Sequence, residues 1–164
     1  MISKDKNSKL NSNCVLASEH EKSMIFENRA SRLNFLKYAF TSESQMHSIS
    51  EIYRQKALEY ISQGKEIEDP VEDLFTTGVV NLEKLSKAKD EKRVSTRTTD
   101  NYFLGLHNKI SECKAYVGTV ESLKGKSALV RVGEGIEEYE KMLAPSTKPG
   151  DKVIVHGKYV VKKA

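Results

Sequence analysis

The chain has 164 residues, 38% of them apolar and 30% charged, with a net charge of +4. That composition describes a polar globular protein with a modest core, and no apolar run approaches the ~18 residues that a membrane span needs. Two cysteines, Cys14 and Cys113, are too few and too distant for a disulfide framework, so reduced thiols and a cytoplasmic location are expected.

Residues 1–18 are rich in Ser, Asn and Lys, have no sustained period and carry no apolar signal-peptide core, so they read as a mobile tail. Residues 19–93 read as a helical domain. Met24, Ile25, Ala30, Leu33, Leu36, Ala39 and Phe40 recur at helical spacing, and a second stripe from Met46 through Ile49, Ile52, Tyr53, Ala57, Tyr60 and Ile61 predicts a helix over 44–63. Pro70 suits the first turn of a third helix carrying Leu74, Phe75, Val79, Leu82 and Leu85. Residues 94–112 read as a linker followed by a short helix capped by Asp100. Each helix has one apolar stripe, which predicts an antiparallel bundle around a shared seam. Met24, Met46, Tyr53 and Phe75 are expected in its core.

From 113 to 164 the pattern changes to period two. Short strands are predicted at 115–122, 127–132, 136–139, 152–156 and 159–162, separated by turns at Lys124-Gly125, Gly133-Glu134-Gly135 and Lys148-Pro149-Gly150-Asp151. The expected fold class is therefore α+β: an N-terminal α-helical bundle followed by a C-terminal small β-barrel of OB or SH3-like type. The net charge lies entirely in this second part, with 17 Lys/Arg and 17 Asp/Glu through residue 112 and 10 against 6 thereafter.

The chain contains no phosphate loop, nucleophile elbow or H-E-x-x-H, so no enzyme is expected. Glu137, Glu138 and Glu140 read as the charged edge of a strand. The pairs Cys14/His20 and His107/Cys113 mirror each other, but a spacing of six places two ligands on different faces of a helix and suits zinc poorly. Tyr116, Tyr139 and Tyr159 with Lys124, Lys126, Arg131 and Lys158 offer stacking and phosphate contacts if the barrel presents them on one face, which makes nucleic acid a candidate partner.

The stretch Cys113-Lys-Ala-Tyr-Val-Gly-Thr-Val120, the strand Ala128-Leu-Val-Arg-Val-Gly133 and the closing Pro149-Gly-Asp-Lys-Val-Ile-Val-His156 together resemble the small hydrogenase-maturation chaperones of the HypC/HupF type. Lys114, Val117 and Thr119 stand where that family usually has an apolar residue, a proline and a basic residue. The resemblance implies a non-enzymatic chaperone that handles iron transiently for a protein partner, with Cys113 and His156 as its metal ligands. A soft thiolate beside an imidazole suits low-spin iron. The expected function is an accessory or adaptor protein with a barrel binding module, such as a metallocentre-assembly chaperone. The alternatives are a nucleic-acid-binding barrel and a structural subunit of a larger assembly.

Overall fold

The computed structural model describes residues 25–43, 49–68 and 71–164. The expected tail, Cys14, His20, Met24, Met46, Pro70 and the first turns of the two leading helices lie outside the described residues. The described part is mixed α+β, helical in its first half and β in its last fifty residues.

Helix α1 (Arg29–Ala39) starts at Asn28, whose side chain accepts from the Ser31 amide while Ser31 Oγ accepts from the Asn28 amide. This reciprocal cap satisfies two of the donors that a helix start leaves open. Ser50 caps α2 (Glu51–Ser62) with a single bond, its side chain accepting from the Tyr53 amide. A 3-10 turn (Val71–Phe75) leads into α3 (Thr76–Ala88). The expected linker is partly helical: α4 (Thr96–Leu104) is capped by Ser95, and Asp100 lies within it rather than at its start. Ser95 wins because its side chain reaches the Thr98 amide three residues on, whereas the Asp100 carboxylate is drawn to Asn34 and Tyr38 of α1 and to Lys162 near the C-terminus. Gly105 breaks the path before the single-turn α5 (Leu106–Ile110).

The helices enclose Phe26, Phe35, Phe40, Phe75, Leu58, Ile61, Leu82, Tyr102 and Phe103. Phe75 is buried as expected, and Tyr53 packs on the core half-buried. Arg32 is only 1% exposed, an expensive place for a charge. Glu72 offsets that cost with contacts of 2.7 and 3.2 Å, and the Ile67 carbonyl accepts from Nη1 at 2.6 Å.

Five strands follow: β1 (Ala115–Lys124), β2 (Ser127–Val132), β3 (Gly135–Glu140), β4 (Lys152–His156) and β5 (Tyr159–Lys163). Their order is β1-β2-β3-β5-β4, and β4 returns to pair with β1, closing the sheet. β1 serves two neighbours, with Ala115–Thr119 against β4 and Thr119–Lys124 against β2. The crossing is tight: a Cβ on Gly118 would stand 2.6 Å from Val130 Cγ1 and 2.7 Å from the Arg131 carbonyl. Only glycine permits that approach.

Strand alternation divides β4 between two cores. Val153 and Val155 fill the barrel interior with Val120, Ala128, Val130, Tyr139 and Val160. Ile154 points outward and joins Ala115, Leu143, Tyr159 and Val161 in the core of the helices. Both faces of β4 are thus buried, which explains its unbroken apolar run. His156, two residues beyond Ile154, is carried to the same helix-facing side.

Candidate functional site

Cys113 and His156, 43 residues apart, meet at the junction of helices and barrel, with Sγ 3.2 Å from Nε2. Ala115 pairs with His156 across the β1–β4 ladder, which brings the residue two positions upstream beside the imidazole. His156 is fully buried and Cys113 is 6% exposed.

The imidazole is held from its other side by Thr41, whose Oγ1 lies 2.9 Å from Nδ1. The Thr41 hydroxyl has one proton and donates it to the Lys37 carbonyl at 2.7 Å. With that proton so placed it accepts from His156, the tautomer in which the imidazole proton sits on Nδ1 and the Nε2 lone pair faces Cys113. The Glu43 amide donates to Sγ at 3.3 Å. Gly157 makes this contact possible: it turns β4 into β5 with φ +60, and a Cβ there would collide with the Thr41 carbonyl.

Aromatic rings surround the histidine. Tyr38, Phe103 and His107 lie with ring centroids 6.0, 5.6 and 5.2 Å from it. Burial, reinforced by His107, lowers the His156 pKa to about 3, so the ring is neutral at pH 7. Burial also lowers the pKa of His107. Among the described residues no group of three His, Cys, Asp or Glu side chains gathers as a metal cage. The pair can supply two donors, one sulfur and one nitrogen.

Cys113 also lines a groove of about 520 Å³ on the barrel surface. Its walls include Tyr116, Tyr139, Lys114, Lys158 and the carboxylates Glu43, Glu112, Glu137, Glu138 and Glu140. The aromatic and basic residues singled out for nucleic acid are divided by the fold. Tyr116, Tyr139 and Lys158 reach this groove, but Tyr159 is buried in the core shared with the helices. Lys124 pairs with Glu138 at 3.3 Å and Arg131 with Glu121 at 2.9 Å. Lys126 is exposed in the β1–β2 turn.

Thr41 and the Glu43 amide are the parts of this site that the sequence did not single out, while His107, paired there with Cys113 as a poor zinc set, packs its ring against His156. Thr41 stands 115 residues from His156, and a threonine at a helix end reads only as a candidate cap. No helix among the described residues is long and apolar enough to cross a membrane. Compared with family models and with curated proteins, the chain matches none.

Proposed function

We propose that this chain is a non-catalytic accessory protein that takes up a metal unit transiently between Cys113 and His156 and passes it to a protein partner. The observation that carries the reading is the convergence of Sγ and Nε2 at 3.2 Å, with the imidazole oriented by Thr41. A metal bound by thiolate at about 2.3 Å and imidazole at about 2.05 Å spans about 3.1 Å between donors at a right angle and about 3.6 Å at the tetrahedral angle. The observed separation falls in that interval. The hydrogen bond from Nδ1 is the outer support that metal-binding histidines use.

Two donors suit a cargo that brings its own ligands, since a resident ion needs a fuller protein cage. Iron is the expected cargo, by the resemblance to the HypC/HupF chaperones and by the affinity of soft thiolate for low-spin iron. The strand order fits a barrel of the OB type, used here as a binding module. A nucleophilic role for Cys113 is disfavoured because a histidine with a pKa of about 3 is too weak a base to activate a thiol at pH 7. A metal can instead displace the thiol proton. Nucleic acid is disfavoured by the carboxylates of the groove, which repel phosphate.

The test is the iron content of protein purified without oxygen after expression with iron supplied. Wild type should retain iron and Cys113→Ala should lose it. Iron-free wild type, or retention that ignores Cys113→Ala, would sink the proposal.

A further inference from the structure

Strand β3 has an open edge. One side pairs with β2 along its whole length, from Ser127 opposite Glu140 to Val132 opposite Gly135. On the other side, among the described residues, it meets β5 at one position only, Glu140 beside Tyr159. The Glu140 amide donates to the Lys158 carbonyl on that side at 2.8 Å. Backbone groups alternate along a strand, so the amides and carbonyls of Ile136 and Glu138 face the same open side. No described strand pairs with them. An exposed edge of this kind is a template for another extended chain.

This edge borders the groove described above: Glu137, Glu138, Tyr139 and Glu140 form one wall, with Tyr116 close by and 43% exposed. Five carboxylates and two lysines line the groove, and with Lys124 paired to Glu138 at 3.3 Å the balance is still negative. The backbone edge selects an extended polypeptide, and the charge selects its side chains.

We infer that the β3 edge is the docking site for an extended, lysine- or arginine-bearing segment of a partner protein, which adds to the sheet as a further strand. Main-chain hydrogen bonds to Ile136 and Glu138 fix its register. Its cationic side chains lie among Glu137, Glu138 and Glu140, with the Tyr116 ring available to one of them. A segment seated there passes over the groove that Cys113 lines. The inference thus rests on the proposed delivery role for its meaning, and on the strand edge for its chemistry.

The experiment follows a fluorescein-labelled peptide of about ten alternating lysines and threonines by anisotropy with the full chain. A control peptide has proline at the threonine positions, with the same charge and fewer amides. The alternating peptide should bind wild type, and the proline peptide should bind about tenfold or more weaker. Glu137→Lys with Glu138→Lys should also weaken binding about tenfold or more. Glu138→Gln, which keeps the side chain's shape, should give a smaller drop. Circular dichroism melting checks that each variant is folded.

Three results would overturn the inference: no binding to wild type, equal binding of the proline peptide (charge attraction without strand addition), or equal binding by both glutamate variants. Metal content is not read here, so the two proposals fail separately. Peptide capture by a protein that retains no iron removes the delivery role alone, and iron retention without peptide capture removes the docking site alone.

Discussion

Thr41 holds more of the site than its size suggests. Its hydroxyl receives the Nδ1 proton of His156 and passes its own to the Lys37 carbonyl. Thr41→Val keeps the shape and removes both bonds, leaving the buried imidazole only its backbone contact with Tyr38. A loss of about 1–3 kcal/mol in denaturant unfolding is expected. Iron retention should weaken as well, because the ring is no longer held toward Cys113. Thr41→Ser should restore both. His156 also gives a pH dependence in the metal-free protein. Its pKa is about 3 in the folded chain and near the ordinary 6.5 when unfolded. Below about pH 6.5 the unfolded state therefore binds a proton that the folded state refuses. Stability should fall as pH drops from about 6.5 toward 3, approaching 1.4 kcal/mol per pH unit from this group, and the His156 term should be flat above about pH 7. Urea midpoints measured across that range test the sign; a midpoint that rises on acidification would contradict it.

The strands were largely legible as elements. Period-two alternation and glycine turns place β2 and β4 where the structure has them, while β1, β3 and β5 run slightly longer than expected. Helix starts were less legible. Ser95 and Asp100 are both good caps, and only the hydrogen bonds of the folded chain choose Ser95. Two glycines carry conformational meaning that sequence alone does not separate from the rest. Gly118→Ala puts a methyl into the Val130 side chain and the Arg131 carbonyl and should cost about 2 kcal/mol or more. Gly125→Ala meets nothing within 4 Å, and its φ of +59 should cost only about 1 kcal/mol. Thermal melting of the two variants gives the comparison, and equal effects would count against the tight β1–β2 crossing.

At the scale of the molecule, the helices and the barrel share one core and one polar latch. Ile154, Tyr159 and Val161 pack with Phe35, Leu58 and Phe103. Beside them, Asp100 accepts from Lys162 Nζ at 2.9 Å, Tyr38 Oη at 2.8 Å and Asn34 Nδ2 at 3.1 Å. Lys162 also reaches Asn34 Oδ1 at 3.0 Å. Asp100→Ala leaves the buried Tyr38 and Asn34 and the half-buried Lys162 each short of an acceptor and should cost about 2–4 kcal/mol. Because the core is shared, near-UV and far-UV circular dichroism should unfold together in wild type. Two separated transitions would contradict a common core. This joining is also why the site was only half legible. The resemblance singles out Cys113 and His156 together, but their partners Thr41, Phe103 and His107 come from the end of α1 and from α4 and α5, whose packing on β4 no local pattern announces.

The central claim is that Cys113 and His156 bind one metal together. The direct measurement is the absorption spectrum of the full chain titrated with Co(II) without oxygen, for wild type, Cys113→Ser and His156→Gln. Wild type should develop a thiolate-to-cobalt charge-transfer band at one equivalent; Cys113→Ser should lose it, and His156→Gln should keep a sulfur band with weaker affinity and an altered visible envelope. A wild-type protein without the band, or one whose spectrum is the same in all three, would contradict the account.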